Sequence, residues 1–328
     1  MSTYLITGAA GFVGKYIVER ILASEPDALV VGTDMAVSSG AAPRTGPRFE
    51  AIALDMLDRT GLDEVIRRWK PGRIIHLASH SSVASSWQDP VDSFLNNTNI
   101  FLNLIESVKQ NCPSSRILSV GSSEEYGAVG PEELPLKETR PLRPTSPYGV
   151  ARVSQEMLSQ VYAQGFGLDL VITRSFNHVG PRQRETFFIP GLVKQFASAK
   201  AAGAARVEIL AGDMNVIRDF TDVRDIVRAY LLLLEHGRAG EIYNVCSGKG
   251  YLLEDIVHML EKISGIKAHI VIDPARIRPV ENPAIVGDNH KLRTECEWRP
   301  RYDLATTLSQ ILDYYRDPDS YVVVDDSE

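Results

Sequence analysis

The stretch YLITGAAGFVG, residues 4–14, decides the fold. A short apolar run ends in a glycine-rich loop, and the loop opens an amphipathic stretch, residues 12–23, with helical spacing. In that strand-to-helix context each glycine has its own use. Gly8 permits a tight turn, Gly11 lets the backbone approach a diphosphate, and Gly14 lets the helix pack close to the strand. Main-chain N–H groups, Phe12 and Val13 among them, and the positive end of the helix then meet the anion. The spacing is GxxGxxG, with Ala9 and Ala10 between the first two glycines, and it predicts a dinucleotide-binding loop.

Outward from the loop the pattern repeats. ALVVGT, FEAIAL, RIIHLA, RILSV and LDLVITR are short apolar runs separated by helical stretches near 62–69, 91–108 and 148–164. Continuous apolar strands alternating with helices predict a parallel sheet covered on both faces: an α/β, Rossmann-type doubly wound fold. After Arg174 the pattern is less regular, with helices predicted over 189–200, 226–236, 253–264 and 304–315, and strands at 207–210, IYNV and HIVID. We read a dinucleotide-binding domain over 1–176, with 215–240 returning to it. A smaller C-terminal α/β substrate lobe takes 177–214 and 241–318, and 319–328 is a tail. Gly- and Pro-rich segments at 38–47 and 130–147 are loops.

Composition narrows the function. The 328 residues are 44% hydrophobic and 23% charged, ordinary for a globular protein with a large core. A formal net charge of -7 argues against nucleic acid as a partner, because a phosphate-backbone footprint needs clustered, uncompensated Lys and Arg. Cys112, Cys246 and Cys296 are odd in number and widely spaced, so neither a disulfide framework nor a metal site is expected; a reduced, cytoplasmic setting fits. Strand-like residues begin at Tyr4 and no apolar run reaches about 18 residues, so neither a secretion signal nor a membrane span is expected.

At the end of the second strand, about 20 residues beyond Gly14, Asp34 is placed to accept the adenosine ribose hydroxyls and to repel a 2'-phosphate. That favours NAD(H), with NADP(H) left possible by Arg44 and Arg48 nearby. Asp55 and Met56 after FEAIAL, and Leu77, Ala78 and Ser79 after RIIHLA, lie at the carboxyl edge of the sheet, where such folds hold ligands.

A second string, SPYGVAR at 146–152, carries acid–base chemistry. A phenol with a solution pKa near 10 needs nearby positive charge to exchange a proton near neutrality; a shift to about 7 takes roughly 4 kcal/mol. One helical turn puts Arg152 on the same face as Tyr148. Ser122, just after RILSV, is placed to hydrogen-bond the same substrate oxygen, and Glu124 beside it to act as a base toward a carbon acid.

These motifs, with GSSEEYG from Gly121, TRSFNHVGPRQ from Thr173, RDFTDVRDIV from Arg218, IYNVCSG from Ile242 and the RP at Arg278, resemble those of the extended short-chain dehydrogenase/reductase family, in its nucleotide-sugar branch. Within that branch they are most similar to the reductases of GDP-4-keto-6-deoxyhexoses. The resemblance implies that Ser122, Tyr148 and Arg152 occupy the catalytic Ser/Thr, Tyr and Lys positions. The family lysine is thus an arginine here. It further implies that Asn97, Tyr148, Arg152, Phe176 and His178 lie at the cofactor, that Asn177 lies beside the sugar, and that Lys194, Arg218 and Arg278 address the nucleotide's diphosphate and ribose. The implied activity is reduction of the C4 keto group of a GDP-sugar by NAD(P)H, with Tyr148 giving the proton. Two alternatives stay open: a 4,6-dehydratase or epimerase with retained NAD(P) and Glu124 as base, and a catalytically weak binding protein. The helices near 91 and 148 are long and partly apolar outward, and in the resembling family such a pair forms a four-helix dimer contact, so the resemblance implies a homodimer.

Overall fold

The structure is a computed structural model that describes residues 2–39, 46–276, 282–319 and Tyr321. The first half of the chain forms β1 (Thr3–Thr7), α1 (Phe12–Ser24), β2 (Leu29–Asp34), β3 (Phe49–Ala53), α2 (Arg59–Trp69), β4 (Arg73–His76), α3 (Val83–Gln88), α4 (Pro90–Asn111), β5 (Arg116–Ser122), α5 (Pro147–Phe166) and β6 (Asp169–Ser175). Then follow β7 (Asn177–Val179), α6 (Phe188–Ala201), β8 (Arg206–Ala211), β9 (Ile217–Asp222), α7 (Val223–His236) and β10 (Ile242–Val245). The chain continues through β11 (Gly250–Leu252), α8 (Leu253–Ser264), β12 (Lys267–Ile272), β13 (Ala284–Ile285), α9 (His290–Glu295) and α10 (Leu304–Arg316).

Among the described residues the main sheet has seven strands in the order β10-β6-β5-β4-β1-β2-β3, all parallel. The strand order reverses between β1 and β4, and in such sheets the crevice above that point takes the ligand. One face is covered by α1 and α7, in a core that includes Tyr16, Ile17, Ile226 and Tyr230; the other by α2, α4 and α5, in a core that includes Leu62, Phe101, Leu104 and Tyr162. Burial on both faces is why these strands read as continuous apolar runs.

The second lobe has its own core, with Ile189, Val193 and Phe196 of α6 against Ile256 and Leu260 of α8 and Leu308 of α10. Beside it lie a four-stranded sheet built on β9 and the parallel pair β12–β8. Two of the expected boundaries shift. Residues 217–222 form β9 of the lobe's sheet, so the return to the main core begins only at α7, whose N-cap is Asp222. Residues 242–245 form β10 of the main sheet, and Leu292, Cys296 and Trp298 also pack in its core. The reason is burial: IYNV pairs with β6 at the sheet edge, and the Trp298 indole donates to Asp225 O at 2.9 Å. The predicted loop at 38–47 lies largely outside the described residues.

Candidate active site

The glycine loop is a cradle with no room for side chains. Gly8 has φ +74, and a Cβ there would meet Ala78 N at 2.9 Å; at Gly14 a Cβ would stand 2.4 Å from Gly8 O. Thr7 ties the two sides of the crevice, its hydroxyl accepting from the amides of Leu77 and Ala78 at 3.2 Å and bonding His76 Nδ1 at 2.9 Å. Gly11 is the N-cap of α1 and offers no side-chain cap, so first-turn amides at this helix end are available to an anion. Asp34 anchors the loop from β2, with Oδ2 accepting from Ala10 N at 3.0 Å and Oδ1 from Ala36 N at 2.9 Å. Asp55 is exposed and closes a local turn onto Leu57 N, while Ser79 is half-buried beyond β4.

The expected acid–base residues converge from β5 and α5. Ser146 caps α5 by accepting from Gly149 N at 3.0 Å, and Pro147 supplies a first-turn residue that needs no N–H partner. Tyr148 is buried except for a sliver, and among the described residues its hydroxyl has no hydrogen-bond partner. The Arg152 guanidinium carbon sits 5.1 Å from its ring centre. Ser122 ends β5 opposite Ser175; its hydroxyl accepts from Glu124 N at 3.2 Å. A Cβ on Gly149 would lie 2.9 Å from Glu124 O, so the turn after Ser122 packs directly on the first turn of α5. Glu124 itself is half-buried at this turn. His178 stacks on Phe12 with ring centres 6.3 Å apart; burial holds its pKa below the ordinary range, so the imidazole is neutral.

Several other expected site residues are buried or bonded within the protein. Phe176 is buried with Tyr126, Leu136 and Cys246, because the chain leaving β6 turns this residue into the core under Gly287 rather than toward the crevice. Met56 is likewise a core side chain. Asn97 spends its amide on backbone: it accepts from His80 N at 2.8 Å and donates to Ser93 O at 2.8 Å and His80 O at 3.2 Å, which staples the loop after β4 to α4. Asn177 donates to Asp219 O, Arg218 bonds the carbonyl of Ile217, and Lys194 on the exposed face of α6 pairs with Glu185. Arg278 lies outside the described residues.

Reading by residue type missed a buried carboxylate pair behind Ser122. Glu125 accepts from Ser122 N at 2.6 Å, Glu156 holds Arg174 by two bonds of 2.8 Å, and Glu125 Oε2 stands 3.9 Å from Arg174 Nε. Burial and the neighbouring Glu156 push the Glu125 carboxyl well above the usual range. The S-x-x-E spacing of Ser122 and Glu125, a capping box, was the available signal. Also missed was Tyr230 of α7, whose hydroxyl bonds Ser175 at 2.7 Å and whose pKa is raised by burial and, to a smaller extent, by Tyr148. Among the described residues no three His, Cys, Asp or Glu side chains gather as a metal requires, and no helix is long and apolar enough to cross a membrane.

Comparison with known proteins identifies the family and the fold. Residues 5–311 match the family described as GDP-mannose 4,6 dehydratase. The chain is 32% identical over 311 residues to GDP-6-deoxy-D-mannose reductase of Pseudomonas aeruginosa, a match that covers 94% of this chain and 95% of that one. It is 30% identical to a dTDP-glucose 4,6-dehydratase of Streptomyces griseus, over 96% and 94% of the two chains. The solved structure of RMD from Pseudomonas aeruginosa complexed with NADPH superposes with a TM-score of 0.84 at 29% identity, covering 97% of this chain and all of the other.

Proposed function

Because the chain belongs to the GDP-mannose 4,6 dehydratase family of extended short-chain dehydrogenases/reductases, we propose that it reduces the C4 keto group of a GDP-4-keto-6-deoxyhexose, turning GDP-4-keto-6-deoxy-D-mannose into GDP-D-rhamnose. The observation that carries this reading is a phenol with an unengaged hydroxyl beside a buried guanidinium that has no carboxylate partner among the described residues. The glycine cradle, the uncapped start of α1 and Asp34 fit a dinucleotide. When bound, the nicotinamide cofactor supplies the hydride. Tyr148 gives its proton to the C4 oxygen, Ser122 holds that oxygen, and Arg152 stabilises the phenolate left behind. Glu124, at the same turn, lies against the sugar.

The anchored Asp34 carboxylate supports NADH over NADPH, since a 2'-phosphate beside it would meet like charge. The protein acts as a homodimer, through α4 and α5. The test supplies the keto sugar with NADH or NADPH and follows near-ultraviolet absorbance. Loss of absorbance with NADH in preference to NADPH is the expected result. No loss with either cofactor removes the reductase reading; conversion of GDP-mannose without net cofactor use would assign a 4,6-dehydratase instead.

A further inference from the structure

Arg152 has a polar partner that leaves its charge intact. Its Nη1 donates to Gln155 Oε1 at 2.6 Å and to Val120 O at 3.2 Å. The Gln155 amide turns its other end to β5, donating to Ser119 Oγ at 2.9 Å and Val120 O at 3.1 Å. Ser159 completes the chain, its hydroxyl donating to Gln155 O at 2.8 Å and hydrogen-bonded to the Ser119 hydroxyl at 3.0 Å. All four side chains are at most 5% exposed. The amide has one consistent orientation, because the reverse would set its NH2 against the guanidinium donors and its oxygen against Val120 O.

We propose that Gln155 is the positioning residue for Arg152, so that arginine and glutamine together replace what a single ammonium would do beside Tyr148; this rests on the reading of Tyr148 as proton donor. A lysine ammonium is compact and its three donors rotate, so it needs no partner to set its plane. A guanidinium is a rigid planar fork, and its effect on the phenol depends on how that plane is held. A neutral amide holds it without quenching its charge, which a carboxylate would do. Two other titratable groups face this pair, His76 from β4 and Tyr230 from α7. His76 is pushed down to about 3 by burial first and by the Arg152 charge second, and burial raises Tyr230, so both are uncharged near neutrality.

The experiment is a cycle of parent, Q155A, R152K and the double variant, with Q155E as an isosteric control. Readouts are kcat, the pH profile of keto-sugar reduction, the Kd for NADH by fluorescence, and Tm. Coupling predicts that Q155A lowers kcat by about 10-fold with Arg152 present and by less than about 2-fold in the R152K background, while the fall in Tm is equal in both backgrounds. Reduction needs the protonated phenol, so the alkaline limb of the activity profile reports on the charge held beside it. In Q155E the carboxylate offsets the guanidinium charge, and that alkaline limb moves up by about one pH unit. Equal kcat penalties in both backgrounds, or an unmoved limb in Q155E, overturn the proposal. Should the parent not reduce the sugar, the functional reading fails, yet the proposal is still decided: Q155A must weaken NADH binding with Arg152 and leave it unchanged in the R152K background, and equal effects refute it.

Discussion

At the scale of single residues, Glu125 shows how a buried carboxyl becomes a pH-dependent part of the site. Its native pKa is raised by burial first and by Glu156 next. The folded protein therefore keeps a proton that the unfolded chain releases near an ordinary carboxylate pKa. Stability from this group is full below that value and is lost as pH rises through the native pKa. Glu125→Gln keeps an oxygen to accept from Ser122 N and carries no proton to lose. Its stability relative to the parent should rise as pH climbs above the ordinary carboxylate range, measured by urea unfolding; a constant difference would mean that Glu125 titrates normally. Tyr148→Phe removes only the proposed proton donor. Turnover should fall roughly 100- to 10,000-fold with NADH affinity retained, and a variant of undiminished kcat would exclude Tyr148 from the chemistry.

At the scale of elements, the start of α1 is tightly constrained backbone. A Cβ at Gly14 would press on Gly8 O and on Ala9 Cα at 2.8 Å, both main chain, so the loop itself must move. Gly14→Ala should cost about 1–3 kcal/mol and weaken NADH binding. Gly165 is the contrast: it sits exposed in α5 with open space around it, and Gly165→Ala should add about 0.5–1 kcal/mol. Both follow from thermal melts, and a Gly14→Ala variant as stable as the parent would refute the packing account. The same constraint made α1 and its loop legible in sequence, since only glycine fits and the apolar spacing is regular. β9, IRDFTD, was not legible: it has no apolar alternation and exists through pairing with β7, β11 and β13. α3 was missed because its six residues are cut from α4 by Asp89 and Pro90, leaving too little periodicity to register. The placing of Ser122 at the end of β5, and of Tyr148 and Arg152 one turn apart on α5, was legible because helix pitch and strand ends fix where such residues stand. The burial of the Phe176 side chain and the backbone bonds of the Asn97 amide were not legible, because a family position does not say which way a side chain faces, and only packing decides that.

At the scale of the molecule, the chain leaves the main sheet after β6, builds the smaller sheets and their helices, and returns through α7 to add β10. One flank carries the unpartnered surface. α4 and α5 pack on each other and bury Phe101, Leu104, Ala151 and Tyr162 inward, yet each keeps apolar side chains outward: Val91 and Leu95 on α4, and Val150, Met157 and Val161 on α5. The spacing of the three on α5 is a heptad and then a helical turn, so they share one face. An apolar stripe of this kind on two adjacent helices is expensive to leave in water, and a second copy of the same face would cover it by twofold symmetry. Sedimentation equilibrium should give twice the chain mass. Met157→Glu with Val161→Glu should give the chain mass alone, with circular dichroism unchanged, because neither side chain contributes to the core. Since α5 also carries Tyr148, the monomeric variant should bind NADH less tightly if the partner's helices hold that first turn in place; an unchanged Kd would confine the interface to assembly, and a variant that stays dimeric would move the interface elsewhere.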